Sequence, residues 1–223
     1  MSSCVIGARR GYGRAARFVN RWALAALITL VLAGPAAATT RILAFGDSLT
    51  AGFGVAPEEA FPAQLAARLK ADGYDVIVAN GGVTGDTTAA GLARFEWTVG
   101  VHPDIVLLEL GANDMLRGLD PSRAEANLDK MLAKLKAAKA KVLLLGMRAS
   151  SNWGADYQRA FDAIYPALAK KYDVPLYPFF LEGVALDPKL NQPDMLHPNP
   201  AGVAEIVNRV APAVERLLGK PAG

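Results

Sequence analysis

Short apolar runs alternate with longer helical stretches from Thr39 onward, and this alternation is the feature that most constrains the fold. Apolar runs bounded by turn residues are typical of strands buried in a parallel sheet. The predicted strands are Arg41–Phe45, Val76–Asn80, Ile105–Leu110, Val142–Met147 and Pro175–Tyr177. The sequence therefore predicts an α/β fold: a single three-layer α/β/α domain of the flavodoxin-like kind, built on a five-stranded parallel sheet.

Three helices are indicated by apolar residues that recur at helical spacing. The second begins after Asp120-Pro121, and the third opens at Asn199-Pro200. We expect Pro212 to kink or split this last helix, because proline removes a backbone donor and clashes with the preceding turn. The inner faces are defined by Phe61, Leu65 and Leu69; by Leu128, Met131, Leu132 and Leu135; and by Val203, Ile206, Val207 and Val210.

The first 38 residues differ in kind from the rest of the chain. Five arginines precede an apolar run from Trp22 to Ala33, which is followed by the small residues Ala36, Ala37 and Ala38. This order is typical of a secretory signal peptide, and the apolar run is too short to span a bilayer. We expect a signal peptide over residues 1–38, one domain over residues 39–223, and a periplasmic or secreted protein with no stable membrane anchor after cleavage.

The basic charge of the chain also belongs to the leader. Of 24 Lys+Arg and 21 Asp+Glu residues, the leader holds five arginines and no acid, which leaves 19 basic against 21 acidic residues. Nucleic acid is therefore not an expected partner. The one cysteine, Cys4, is in the leader, so the rest of the chain cannot form a disulfide, a thiolate metal site or a cysteine nucleophile.

The turn after the first predicted strand presents a candidate nucleophile. Gly46-Asp47-Ser48 ends that strand, and ligands of open parallel sheets bind beyond the carboxyl ends of the strands. Ser48 is therefore expected at the mouth of the fold. Ser122 belongs to the first turn of a helix, and Ser150 and Ser151 have no neighbouring turn that would expose and activate them. A Gly-Asp-Ser turn can also have a purely structural role. The assignment of Ser48 as a nucleophile therefore depends on finding a general base near it.

A serine nucleophile needs a general base, and there are two histidines. His102 precedes the third strand, at the amino edge of the sheet, whereas His197 precedes the last helix, at the carboxyl edge with Ser48. Asp194 could hold the far nitrogen of His197. The alternatives are a surface-loop histidine and an aspartate that caps its own loop. We expect no cofactor and no metal, although a weak oxygen-rich site stays open.

Two glycine-containing loops offer donors for an oxyanion. Gly85 lies in the glycine-rich stretch from Asn80 to Thr87, and Asn113 lies just past the third strand in Gly111-Ala112-Asn113-Asp114. The backbone N–H groups of Ser48 and Gly85 and the amide of Asn113 would make three donors. Either loop alone could be an ordinary turn.

Together these positions resemble the SGNH, or GDSL-type, serine hydrolase family. Its four blocks match Gly46-Asp47-Ser48-Leu49, Gly85-Asp86-Thr87, Gly111-Ala112-Asn113-Asp114 and Asp194-Met195-Leu196-His197-Pro198. The chain is most similar to the small bacterial secreted branch of arylesterases, acyl-CoA thioesterases and lysophospholipases, from about residue 40 to 218. The resemblance implies Ser48 as nucleophile, His197 as base, Asp194 as its orienter, and an oxyanion hole of Ser48, Gly85 and Asn113.

The resemblance also implies a function. It predicts a serine esterase or thioesterase that hydrolyses small acyl esters (aryl esters, acyl-CoA or lysophospholipids) through an acyl-enzyme, as a monomer. The stretch Arg148–Gly154 departs from the apolar, proline-containing loop common in that branch, which leaves the acyl-length preference open. The side chains expected to contact the substrate are Asp47, Asp114, Met115, Ala149, Ser150 and Trp153.

Three alternative functions compete with this interpretation. An α/β-hydrolase also has the order Ser, Asp, His, but it requires Gly-x-Ser-x-Gly, which Ser48 lacks. A periplasmic ligand-binding module could cradle a phosphate with glycine-rich turns, but it gives Asp194 and His197 no role. Within the family, a carbohydrate O-acetyl esterase, or an activity on activated amino acid esters, stays open because of the unusual Ala149-Ser150-Ser151 stretch.

Overall fold

The computed structural model describes residues 38–219, together with Met1, Ser3 and Pro221. The predicted signal peptide lies outside these described residues apart from Met1, Ser3 and Ala38, and it stays a prediction. The described residues 38–219 belong to one compact unit. Among the helices in the described part of the chain, none has the length and apolar character needed to cross a membrane.

The sheet has five parallel strands: β1 (Thr40–Gly46), β2 (Val76–Gly82), β3 (Ile105–Glu109), β4 (Lys141–Leu145) and β5 (Leu176–Tyr177). Their order across the sheet is β2-β1-β3-β4-β5. The three central strands are mostly apolar and buried, as expected for a sheet covered on both faces, whereas the edge strands β2 and β5 are partly exposed. The order is that of flavodoxin-like folds, which confirms the predicted fold class.

Seven α-helices flank this sheet or connect its strands in the described residues. They are α1 (Ser48–Ala51), α2 (Phe61–Ala71), α3 (Thr88–Val99), α4 (Ala112–Leu116), α5 (Pro121–Ala137), α6 (Ala155–Tyr172) and α7 (Pro200–Leu218), with 3₁₀ turns at Pro57–Glu59 and Ser151–Trp153. Helix α2 packs against α7, and α5 packs against both α3 and α6. Right-handed crossovers place these two groups on opposite faces of the sheet.

The last helix is not split at Pro212. Helix α7 runs without interruption through that residue, so the expectation of a split is wrong, and a kink at Pro212 stays a prediction. Val210, Ala211, Ala213 and Val214 are buried on both sides of the proline. Packing of this stripe offsets the lost backbone hydrogen bond, because tertiary contacts routinely override helix propensity.

The strand order brings three loops together. Strands β2, β1 and β3 are neighbours, and their carboxyl ends lie side by side: Gly46 pairs with Gly82, and Phe45 pairs with Leu108. Strand β2 extends two residues further than predicted, to Gly82, because it follows β1 to its end. The loops that carry Ser48, Gly85 and Asn113 therefore leave the sheet at one edge.

Candidate active site

Ser48 is the first residue of α1, and only Asp47 separates it from the end of β1. The Asp47 side chain caps this short helix by accepting a hydrogen bond from the Leu49 N–H at 3.0 Å. The turn is so tight that a Cβ on Gly46 would lie 2.2 Å from Thr50 Oγ1 and 2.4 Å from Glu109 Oε2. Only glycine fits there, which explains the Gly-Asp-Ser order.

The structure brings His197 to Ser48. His197 Nε2 lies 2.9 Å from Ser48 Oγ, and His197 Nδ1 lies 2.7 Å from Asp194 Oδ2. Asp194 Oδ1 accepts hydrogen bonds from the backbone N–H groups of Leu196 and His197, both at 3.0 Å. Met195, the residue after Asp194, has φ +59°. The turn is therefore tight enough for the Asp194 carboxylate to reach the His197 ring three residues later.

These hydrogen bonds control the charge on Asp194. The backbone N–H of His197, then its ring, then the backbone N–H of Leu196 lower the pKa of Asp194 from its usual range to about 2. The carboxylate is therefore ionised at neutral pH and favours the His197 tautomer with the proton on Nδ1. That tautomer leaves Nε2 as an acceptor toward the Ser48 hydroxyl.

Phe53 packs against His197, and the sequence analysis did not identify it. The two ring centroids are 4.6 Å apart. Gln192 joins the same two loops: its side chain donates to the Phe53 carbonyl at 2.7 Å, and its backbone N–H donates to the His197 carbonyl at 2.8 Å. The available signal was an aromatic residue between Gly52 and Gly54, directly after the candidate nucleophile.

Asn113 and Gly85 lie on adjacent loops at this edge. Asn113 is in the first turn of α4, and its Nδ2 donates to Asp47 Oδ2 at 3.1 Å. An amide nitrogen has two N–H groups, so one remains for another acceptor. Gly85 has φ +85°, and its carbonyl accepts from Arg117 Nη2 at 2.9 Å. Arg117 thereby connects the end of α4 to the loop after β2.

A second arginine ties the loops after β1 and β2 together. Arg94, in α3, pairs with Asp86 at 2.6 Å and donates to the Gly46 carbonyl at 2.9 Å. Its guanidinium also lies 4.2 Å from the centroid of the Phe45 ring. Arg94 was not identified from sequence, where nothing distinguishes it from other helical arginines, because its contacts are made across the fold.

Two of the predicted substrate contacts are buried. Asp47 accepts from Leu49 and Asn113, and Asp114 accepts from the backbone N–H and the hydroxyl of Thr88, both at 2.7 Å. The prediction that these two carboxylates contact substrate does not fit their burial, because protein donors already occupy them. Asp47 connects the turn at Ser48 to Asn113, and Asp114 caps the start of α3.

The other predicted contacts lie in and around the loop after β4 and in α4. Trp153 is 42% exposed and covers Gly118, where a Cβ would come within 2.5 Å of the indole. Ala149 is buried and held by Asp162, which accepts from its backbone N–H at 2.8 Å. Met115 is half-buried and Ser150 is exposed. None of the four hydrogen-bonds to Ser48, His197 or Asp194 in the described structure.

Glu109, the last residue of β3, is an ionisable residue that is fully buried. Its Oε2 accepts from the Asp47 N–H at 3.2 Å and from the Thr50 hydroxyl at 2.8 Å. Glu109 was not among the predicted site residues, although an acid inside the apolar run Ile105–Leu110 is a visible signal in the sequence. A metal does not account for it: the described residues contain no cluster of three or more His, Cys, Asp or Glu side chains suited to an ion.

Comparison with known proteins identifies the family. Residues 44–204 match the GDSL-like Lipase/Acylhydrolase family. The chain is 41% identical over 201 residues to "Thioesterase 1/protease 1/lysophospholipase L1" of Escherichia coli (strain K12), covering 90% of this chain and 95% of that protein. It is also 41% identical over 196 residues to an arylesterase of Vibrio mimicus, covering 87% and 98% of the two chains.

Solved structures agree with the family match. The crystal structure of AlinE4, an SGNH-hydrolase family esterase, superposes with a TM-score of 0.68 at 48% sequence identity, over 82% of this chain and 98% of that one. The family and the enzyme class predicted from the four motifs are thus confirmed. The chain belongs to the GDSL-like, or SGNH, family of acyl-ester hydrolases.

Proposed function

We propose that the chain is a serine esterase or thioesterase in which Ser48 is the nucleophile, His197 the general base and Asp194 the residue that orients the base. The observation that carries the proposal is the chain of contacts from Asp194 Oδ2 through His197 to Ser48 Oγ, at 2.7 and 2.9 Å. It joins residues 149 positions apart in sequence and has the geometry that nucleophile activation requires.

The proposed reaction proceeds through an acyl-enzyme. Ser48 Oγ bonds to the acyl carbonyl carbon as its proton moves to His197 Nε2, and the carbonyl π electrons move to oxygen. The tetrahedral intermediate collapses, the bond to the leaving alcohol or thiol breaks, and His197 returns the proton to that group. Water then repeats both steps on the acyl-enzyme, which releases the acid and restores the Ser48 hydroxyl.

The negative oxygen of the tetrahedral intermediate needs donors, for which we propose the backbone N–H groups of Ser48 and Gly85 and the side chain of Asn113. Two observations support this set. Asn113 is held by Asp47, the residue next to the nucleophile, at 3.1 Å. Gly85 is held by Arg117 in a left-handed conformation, so its loop has a defined shape before substrate arrives.

The proposed substrates are small acyl esters and thioesters. The relatives are named thioesterase, lysophospholipase and arylesterase, which supports this class. Two apolar side chains, Phe53 and Leu196, are about half exposed next to His197 and suit an acyl chain or an aryl group. A panel of p-nitrophenyl esters of increasing chain length, acyl-CoAs, lysophospholipids and acetylated sugars, assayed with wild type and Ser48→Ala, identifies the preferred class.

A fluorophosphonate probe tests the nucleophile directly, because it phosphonylates an activated serine. We expect stoichiometric labelling of the wild type, with the label on the peptide that contains Ser48. Ser48→Ala should not be labelled, whereas Ser122→Ala, which changes an exposed serine in the first turn of α5, should label like the wild type. Label on another serine, or undiminished labelling of Ser48→Ala, would remove Ser48 from the mechanism.

We also propose that residues 1–38 are a signal peptide and that the enzyme acts in the periplasm or outside the cell. The order of arginines, apolar run and small residues supports this. Expression of the full chain in a Gram-negative host, followed by N-terminal sequencing of the periplasmic fraction, tests it. The expected first residue is Thr39; retention of the full chain in the cytoplasm would contradict export.

A further inference from the structure

Two carboxyl groups are buried together beneath the Ser48 turn. Asp47 and Glu109 both have 0% exposure. Asp47 follows the end of β1, Glu109 is the last residue of β3, and these strands are neighbours in the sheet. The backbone N–H of Asp47 donates to Glu109 Oε2, and each carboxyl group influences the pKa of the other, so the two groups are close neighbours.

The hydrogen bonds of this pair are complete except at one atom. Asp47 accepts from Leu49 on Oδ1 and from Asn113 on Oδ2, and Glu109 Oε2 accepts from Asp47 and Thr50. Glu109 Oε1 is buried and, within the described structure, has no donor. An unpartnered buried carboxylate oxygen is unfavourable, but a proton on Oε1 would turn that atom into a donor.

Among the described residues, no cation forms an ion pair with either carboxyl group. Tyr165, from α6, faces Glu109 but donates to the Leu110 carbonyl at 2.9 Å, and Arg94, from α3, is paired with Asp86. His197 lowers the pKa of Asp47. Two ionised carboxylates that are close neighbours in a buried site repel one another, which favours a proton on one of them.

The surroundings favour a proton on Glu109 over a proton on Asp47. Burial, and then the charge of Asp47, raise the pKa of Glu109 well above its usual range. Burial also raises the pKa of Asp47, to about 6, but the hydrogen bonds from Leu49, Asn113 and Glu109 act in the opposite direction. Asp47 has a donor on each oxygen and is therefore better suited than Glu109 to carry the charge.

We propose that Glu109 is a positioning residue that stays protonated in the working enzyme and donates a hydrogen bond from Oε1 to the Asp47 carboxylate. The pair then holds one proton and one negative charge. The charged Asp47 in turn holds the Asn113 amide and the first turn of α1. Glu109 therefore acts on the oxyanion site through Asp47 and Asn113, and it does not itself contact the substrate. This role rests on the proposed function of Asn113.

Carbon-13 NMR of the wild-type enzyme tests the protonation state without any assay of activity. Glutamate labelled at its carboxyl carbon gives the signals, and the signal missing from Glu109→Gln is that of Glu109. We expect this signal to remain that of a carboxylic acid from about pH 5 to about pH 8, where ordinary glutamates are ionised. A carboxylate signal for Glu109 at neutral pH would overturn the proposal, even if Ser48 is the nucleophile.

Two substitutions test the role of the proton. Glu109→Gln keeps a neutral donor in the same shape, and Glu109→Met keeps the length without polar atoms. We expect Glu109→Gln to retain on the order of a third of kcat, and Glu109→Met to lose about 10- to 100-fold in kcat with little change in KM. The wild type should also lose kcat at high pH as Glu109 ionises, whereas Glu109→Gln should not.

A double substitution separates positioning from general damage. If Glu109 acts through Asn113, then Glu109→Met should cost less than about twofold in kcat once Asn113→Ala is present. Equal losses in both backgrounds, or a Glu109→Gln enzyme as impaired as Glu109→Met, would overturn the proposal. Circular dichroism and thermal unfolding establish that each variant folds; if Glu109→Met does not, the NMR signal and the Glu109→Gln pH profile still decide.

Discussion

The two histidines that the structure describes make an instructive pair, because each precedes a proline but they lie at opposite edges of the sheet. His197 is at the carboxyl edge, with Asp194 at one ring nitrogen and Ser48 at the other. His102 is exposed at the amino edge, with φ +51°, and the aspartate two residues later, Asp104, accepts from the Arg41 N–H instead. Local composition is similar, so the position relative to the strand ends decides the chemistry.

A large cavity does not mark the edge of the sheet that carries the candidate active site. The amino edge holds a cavity of about 590 Å³ around His102, lined also by Arg41, Lys139 and Lys141. It is large enough for a ligand, but no serine or cysteine lines it. At the carboxyl edge the side chains converge on one hydroxyl, and that convergence identifies the site better than volume does.

Substituting each of the two histidines separately should give the largest difference in activity between the two edges. We expect His197→Gln to lower kcat/KM by about 10⁴- to 10⁶-fold, because the substitution removes the ring nitrogen that lies 2.9 Å from Ser48 Oγ and accepts its proton in the proposed mechanism. His102→Gln, at the opposite edge, should remain within about twofold of the wild type. Steady-state hydrolysis of a p-nitrophenyl ester measures both. Comparable losses in the two variants would mean that the edges are not functionally distinct.

The matched aspartates sharpen the same comparison. Asp194→Asn should lower kcat by about 10³- to 10⁴-fold, because an amide can donate to Nδ1 and stabilise the wrong tautomer. Asp104→Asn should leave kcat nearly unchanged. Because the pKa of Asp194 is lowered to about 2, its charge should persist across the whole pH range of activity. An acid limb in the pH profile that disappears in Asp194→Asn would contradict this assignment.

Asn113→Ala tests the oxyanion site at the carboxyl edge. Loss of one donor of this kind costs about 10²- to 10³-fold in kcat, with a much smaller change in KM, because the donor acts on charge that develops in the transition state. Asn127→Ala, which removes an amide that donates to Thr88 instead, is the control. If KM rose sharply while kcat was unchanged, Asn113 would belong to substrate binding.

Substituting the two exposed tryptophans should produce a smaller effect, on specificity. Trp153→Ala uncovers Gly118 and should raise the ratio of long-chain to short-chain ester hydrolysis by about tenfold, since several methylene groups gain room. Trp97, on α3, is 86% exposed, and Trp97→Ala should leave that ratio unchanged. Competition between butyrate and decanoate esters measures the ratio. An unchanged ratio in Trp153→Ala would separate this loop from acyl-length selection.

The smallest expected effect is on stability. The pKa of Glu109 is raised in the folded state, so its contribution is complete below the unfolded pKa of about 4.3 and is lost as pH rises toward the folded pKa. The free energy of unfolding of the wild type should therefore fall more steeply with pH than that of Glu109→Gln, by up to about 1.4 kcal/mol per pH unit. Urea unfolding at several pH values measures the slopes, with the exposed Glu125→Gln as control.

The sequence was informative for strands that are buried on both faces of the sheet and for interactions between residues close in sequence. Continuous apolar runs predicted β1, β3 and β4, and the spacing of Asp194 and His197 placed acceptor and ring in one turn. Contacts between distant segments, such as Phe53 on His197 and Arg94 on Gly46, depend on how loops meet and have no local pattern. Helix α7 does not split at Pro212, because the packing of its buried face outweighs helix propensity. Glu109 stands out in the sequence as an acid within an apolar run, but its burial depends on contacts with the loop after β1.

The separation of 149 residues between nucleophile and base has a consequence for biosynthesis. A ribosome makes Ser48 well before His197, and strand β1, which precedes the serine, pairs with partners made later on both sides. A chain cut short before Asp194 therefore presents an inert alcohol. Under the mechanism proposed above, ester cleavage would report that the polypeptide has been made and folded at least as far as His197.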